Sequence, residues 1–185
     1  MSQPVFQTAR LDARPIGAHD VDAMLAVYGD ETVVRYVADG KPLDRPRCEH
    51  WVEVTLRNYA TRGYGMVALV ERATGSIVGF CGLVHPAGQV VPEIKYALRR
   101  DCWGKGFATE AAVGLLGHAR HLGLSEVIAT TDPENEPSHR VLLKAGMARG
   151  TQHGASGRRH RHQAEDHPHQ PDRDAHVAVE DVAEL

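Results

Sequence analysis

The feature that most constrains this chain is a change of period across Gly104-Lys105-Gly106. Before it, Pro92 to Leu98 (PEIKYAL) alternates: Ile94, Tyr96 and Leu98 face one way, Glu93, Lys95 and Ala97 the other. After it, Ala108, Ala111, Ala112, Leu115, Leu116, Ala119 and Leu122 recur at three and four, and Gly123 can stop the run. A strand must therefore feed a long amphipathic helix through a glycine turn. Such a turn points successive backbone N–H groups outward at the helix N-terminus, where the dipole also favours negative charge. No Ser, Thr, Asp or Asn stands at the N-cap near Gly106, so an anion can take the place of the missing cap oxygen. A P-loop is excluded, because the chain lacks G-x-x-x-x-G-K-[ST]. A dinucleotide fold fits poorly: GKGFAT carries Thr109 at the last place, and Glu93 and Lys95 break the apolar strand that fold requires.

The remaining segments alternate between the same two periods. Arg10 to Pro15 reads as a short strand. Val21, Met24, Leu25 and Tyr28 have helical spacing, and Asp44 can cap a second helix with Pro46 in its first turn, ending near Gly63. Tyr64 to Glu71 and Ser76 to His85 are strands joined by a tight turn. Val127 to Thr131 is a short buried strand, and Asn135 caps a last helix bearing Val141, Leu142 and Ala145. The order predicts a mixed α/β domain: a central mixed sheet, largely antiparallel, flanked by helices.

Composition narrows the class. The net charge of -3 lacks the basic excess of a nucleic-acid binder. No apolar run approaches the roughly 18 residues that span a bilayer. The N-terminus has no signal-peptide core, and Cys48, Cys81 and Cys102 suit neither a disulfide framework nor a zinc site. A cytoplasmic protein without nucleic-acid or membrane partners is expected, as a monomer or homodimer.

The domain is expected to span residues 1–149. From residue 150 on, the tail is rich in histidine and lacks Ile, Phe, Tyr, Trp, Met, Lys and Cys. Such a stretch offsets its ordering entropy poorly, so it reads as disordered, or as out of frame with the ancestral gene. Its His-x-His pairs lack a third ligand at a defined spacing, and no metal is expected.

Tyr96-Ala97-Leu98, Trp103 to Ala111 (WGKGFATEA), the strand to Thr131, Pro133 to Ser138 (PENEPS) and Lys144-Ala145-Gly146-Met147 stand in order at set intervals. Together they resemble the GNAT acetyltransferases, in the RimJ/RimL-like branch, over about residues 8 to 149. The resemblance implies a GNAT-type fold and acetyl-CoA as co-substrate. Backbone groups of Ala97, Leu98 and Arg99 would bind the pantetheine arm. The amides of Gly104, Lys105, Gly106, Phe107, Ala108 and Thr109 would hold the pyrophosphate. Asn135 would hydrogen-bond the pantetheine, and Ser138 would stand near the sulfur. Asp101 occupies the place where the family's loop begins with Arg or Gln, leaving Arg99, Arg100 and Lys105 as charge partners.

The implied reaction is transfer of acetyl to a primary amine, either a protein N-terminal α-amine or a small-molecule amine. Such amines are mostly protonated near neutral pH, so the reaction needs a base and a partner for the leaving thiolate. Ser138 is the expected thiolate partner and Glu93 the expected base; many family members place a tyrosine where Leu142 stands here. Cys102 reads as a core contact. Lys95, where a glycine is usual, is expected to crowd the cleft or select an acidic acceptor. Trp51 reads as core, and His50 and His85 as residues that could approach a cleft. The alternative function is a non-catalytic acyl-CoA-binding domain with an incomplete acceptor site.

Overall fold

A computed structural model describes residues 3–150 and the backbone of 158–163. In chain order the strands and helices are β1 (Phe6–Gln7), β2 (Leu11–Pro15), α1 (Val21–Tyr28), α2 (Glu31–Val34), α3 (Arg45–Arg62), β3 (Met66–Glu71), β4 (Ile77–Val84), β5 (Glu93–Leu98), α4 (Phe107–His121), β6 (Glu126–Thr131), α5 (Glu136–Lys144), β7 (Ala148–Arg149) and β8 (Arg158–Gln163). Among the described residues they form one sheet in the order β1-β2-β3-β4-β5-β6-β8-β7. All neighbours are antiparallel except β5 and β6. The expected mixed, largely antiparallel sheet flanked by helices is therefore present.

The period-2 alternation of the strands explains the two-sided core. Val67, Leu69, Ile94 and Leu98 pack with Phe107, Ala111, Leu115 and Leu116 of α4. Their strand neighbours Met66, Ala68 and Ala97 point to the other face, among Val21, Met24 and Tyr28 of α1 and Cys48 and Val52 of α3. A residue on β3 or β5 thus chooses its helix by parity. The ends of α3 follow their local chemistry: Asp44 Oδ1 accepts from Arg47 N at 3.0 Å, and Gly63 stops the helix at φ 79°.

Two short elements escape periodicity. β1 has two residues and α2 has four, too few to show a repeat. The sheet also continues past residue 149. β8 pairs with β6 along its length, from Thr131↔Arg158 to Glu126↔Gln163, and β7 pairs with β8. Its sequence RRHRHQ is wholly polar, so no alternation announced a strand. The expectation for 151–157 and 164–185 lies outside the described residues.

Candidate active site

The site begins where the sheet splits. β5 and β6 are parallel, yet their register holds only at Glu93↔Ile128, beside Ile128 N donating to Pro92 O at 3.0 Å. Thr130 N, one step further along the same edge, donates instead to Glu93 Oε1 at 3.1 Å. A side-chain carboxylate thus satisfies an amide that the diverging ladder leaves unpaired. A cavity of about 950 Å³ opens in the split, lined by Ile94 to Leu98 on one side and Ala129 to Thr131 on the other.

Arg99 N donates to Val78 O at 2.9 Å. By antiparallel alternation, Ala97 and Arg99 turn their backbone groups to β4, while Tyr96 and Leu98 turn theirs to the split. Of the three residues expected to bind the pantetheine arm, Leu98 therefore presents its amide to the cavity. Its carbonyl already accepts from Trp103 Nε1 at 2.9 Å. Ala97 also lines the cavity; Arg99 does not. Its guanidinium holds Asp101, with Nε donating to Oδ1 at 3.0 Å, which raises the Arg99 pKa and lowers that of Asp101. Arg99 was expected as a charge partner for phosphate; Asp101 occupies it instead.

Gly104 and Gly106 take φ of 74° and 83°, the left-handed region that costs L-residues about 1–2 kcal/mol. Gly106 is the N-cap of α4 and supplies no side-chain cap bond. The free N–H groups of Phe107, Ala108 and Thr109 open into the cavity wall with both glycines. A Cβ on Gly104 would meet nothing within 4 Å, so the conformation rather than crowding by the protein calls for glycine there. The positive φ also means that a branched residue at either glycine would strain the backbone. Lys105 is exposed and outside the lining, with its carbonyl accepting from Arg10 Nη1 at 3.0 Å. Arg10 also lies 4.4 Å over the Phe107 ring. Glu110 accepts from Thr8 Oγ1 and Arg10 N, both at 2.6 Å, and from Arg10 Nε at 2.7 Å. The β1–β2 hairpin therefore clamps the loop, a role for Arg10 that no local pattern reveals.

Across the split, Asn135 Oδ1 caps α5 by accepting from Ser138 N at 3.2 Å. The cap fixes the amide and leaves its NH2 as the donor for a ligand. His139 is fully buried and pins α5 to the end of β6. Its Nε2 donates to Asp132 O at 3.0 Å, and its Nδ1 accepts from Thr131 Oγ1 at 3.1 Å. Ser138 lines the cavity, and its Oγ is 2.6 Å from the Tyr96 hydroxyl. Burial is the main cause pushing the Tyr96 pKa up to about 12, so the phenol keeps its proton at neutral pH. Alternation showed Tyr96 facing as Ile94 and Leu98 do, but not that the split would bring it to Ser138, 42 residues away.

The other end of the cavity is aromatic. Tyr28 and half-buried Trp51 meet edge to face at 4.7 Å, and Trp51, read as core, also lines the wall. His85 lines it too; His50 does not, and pairs with Glu53 on the surface of α3. The Gln89 carbonyl accepts from His85 Nδ1 at 2.8 Å, so Nε2 carries the lone pair and accepts from the Tyr64 hydroxyl at 2.8 Å. Burial lowers the His85 pKa and keeps the ring neutral. Glu93 is 3% exposed, not on a solvated face. Its carboxylate accepts from Lys95 Nζ, Thr130 N and, at 3.4 Å, Gln89 Nε2. Lys95 lines the cavity and Glu93 does not, so the expected base meets the cavity only through its ion pair. Cys102 is buried in the core, and burial raises its thiol pKa. No group of three potential metal ligands exists among the described residues.

A split parallel pair with an amide cradle on one lip and a capped helix on the other suits an elongated ligand that carries an anionic group. The profile of the Acetyltransferase (GNAT) domain matches residues 10–148, and the chain belongs to that family. It is 34% identical over 128 residues to YkkB of Bacillus subtilis, covering 65% of this chain and 71% of that protein. It is 30% identical over 155 residues to the FsC-acetyl coenzyme A-N(2)-transacetylase of Aspergillus fumigatus, covering 79% of this chain and 66% of that protein. Among solved structures, yncA from Salmonella typhimurium with its cofactor acetyl-CoA superposes with a TM-score of 0.67 at 18% identity, covering 89% and 99% of the two chains.

Proposed function

We propose that the chain transfers acetyl from acetyl-CoA to a primary amine, and that it belongs to the RimJ/RimL-like branch. The observation that carries this reading is the split itself. One cavity joins the Leu98 edge, the uncapped N-terminus of α4, Asn135 and Ser138. A long anionic thioester needs these groups in that order: sheet-like partners for its amides, free N–H groups for its phosphates and a donor at its sulfur.

The chemistry then follows from position. The amine enters from the aromatic end and attacks the thioester carbonyl. Its proton passes to His85 Nε2, directly or through the Tyr64 hydroxyl. The departing thiolate accepts a hydrogen bond from Ser138 Oγ–H, and the Tyr96 hydroxyl steadies Ser138 by donating to its Oγ while keeping its own proton. Glu93 contributes from behind the wall by holding Lys95 and the Thr130 amide.

Thiol release from acetyl-CoA, measured over a panel of amines and N-terminal peptides, tests the reading. Acetylated product with equivalent thiol is expected. Binding of acetyl-CoA without release by any amine would instead favour a non-catalytic acyl-CoA-binding domain. Absence of binding would overturn the cofactor assignment itself.

A further inference from the structure

The acceptor end has a charge pattern that its aromatic walls obscure. Among the described residues, no aspartate or glutamate lines the cavity. The cations that do line it are Arg35, Arg62, Lys95, Arg140 and Lys144. Arg140 and Lys144 stand on α5, at the cofactor side. Lys95 was expected to select an acidic acceptor, but its charge is matched by Glu93, with which it forms an ion pair. That leaves Arg35 and Arg62. Among the described residues neither appears in an ion pair. Arg35 lies 5.3 Å over the Tyr36 ring, a contact that orients the guanidinium and leaves its charge uncompensated. Arg62 stands where α3 ends, close enough to His85 to oppose its protonation.

An amine can reach this end in two forms. A polyamine or a lysine-rich peptide would bring further positive charge to a wall with two unmatched cations and no carboxylate to receive it. An amine carrying its own anionic group would be received by guanidinium groups, whose planar donors match carboxylate and phosphonate oxygens two at a time. The body between the amine and the anion would lie against Tyr28 and Trp51, so an apolar or aromatic body fits. The nearby arginine charge also favours delivery of the amine in its neutral, nucleophilic form.

We infer that the acceptor is an amine with an apolar body and a carboxylate or phosphonate group, bound through Arg62 and Arg35. This rests on the acetyl-transfer reading above and names the substrate class of the same site.

The experiment uses the full chain with acetyl-CoA and matched acceptors. Aromatic amino acids and aminophosphonates are compared with their amides or decarboxylated amines, and with spermidine as a cationic amine. The anionic members are expected to exceed their uncharged counterparts about 10- to 100-fold in kcat/KM, the worth of a hydrogen bond to a charged group. Arg62→Gln should remove most of that preference through KM, and Arg62→Glu should turn it toward the uncharged or cationic amine. Arg35→Gln provides the second variant, with acetyl-CoA affinity as the control that each protein is folded. Equal or better turnover of uncharged or cationic amines would overturn this inference and leave the transferase reading standing. Acetyl-CoA binding without turnover of any amine would overturn both.

Discussion

The two ends of the cavity are built from different materials. The end proposed to hold the cofactor uses backbone groups and glycines from nearly contiguous stretches, residues 96 to 109, with Asn135 and Ser138 across the split. The end proposed to receive the acceptor uses side chains drawn from α1, the segment after α2, both halves of α3 and the residue after β4: Tyr28, Arg35, Trp51, Arg62 and His85. A ligand read by backbone amides demands a local path, and a local path leaves a trace in sequence. A ligand read by scattered side chains demands only that the fold bring them together. The difference predicts that substitutions at the first end act on cofactor affinity, and those at the second on choice of acceptor.

The largest effect should come from the glycines. Gly104→Val and Gly106→Val each place a branched residue at positive φ, costing about 1–2 kcal/mol of stability. They also displace amides from the cradle. Loss of one or two charge-assisted hydrogen bonds amounts to about 100-fold in acetyl-CoA affinity. Calorimetric titration beside urea unfolding separates the two effects. Unchanged affinity in both variants would remove the distinction between the ends.

Ser138 sits at the junction, so its variant should split kinetic from binding effects. Ser138→Ala removes the hydroxyl proposed to meet the thiolate and should lower kcat on the order of 100-fold, with cofactor affinity little changed. Tyr96→Phe removes only the partner of that hydroxyl, at 2.6 Å, and should cost about tenfold or less. A loss confined to KM for acetyl-CoA in Ser138→Ala would move Ser138 from chemistry to binding.

The same contrast explains what the sequence made legible. The turn, the missing cap before α4, and Asn135 as the cap of α5 are local facts about glycine, helix ends and hydrogen-bonding side chains. They could be read without knowing the fold. Glu93 could not. Alternation placed it opposite Ile94, but its burial follows from the split, which leaves Thr130 N in need of an acceptor. Arg10 could not either, because its partners Lys105 and Glu110 lie about a hundred residues on. β8 was hidden for another reason: a strand held by its ladder to β6 need carry no apolar alternation.

A smaller effect tests whether the clamp on the loop serves the cofactor end. Burial would raise the Glu110 pKa, but the hydrogen bonds from Thr8 and Arg10 outweigh it and hold the carboxylate below its ordinary value. Glu110→Gln keeps the shape and removes the charge that holds Arg10. Arg10 is nearly half exposed, so the ion pair is worth no more than about 1 kcal/mol, about fivefold in acetyl-CoA affinity. Relative rates among acceptors should stay fixed. A change in acceptor preference would show that the clamp reaches across the cavity.

The smallest effect concerns acid, and it separates the core from the site. His85 and His118 are both lowered in pKa, mainly by burial. His85 has hydrogen-bond partners at both ring nitrogens, whereas His118 Nε2 is buried without a partner among the described residues. In the unfolded chain imidazoles titrate near pH 6.5. Below that value the unfolded state binds more protons than the folded state, so stability falls as pH drops from about 6.5 through the lowered folded pKa, then levels. His118→Leu suits the contact with Phe6, whose ring lies 6.0 Å away, and should reduce this acid loss without altering acetyl transfer at pH 7.5. Urea midpoints at pH 7.5 and 5.5 provide the measurement. A parallel loss in both proteins would remove His118, and with it the packing of α4 on β1, as the source of the acid sensitivity.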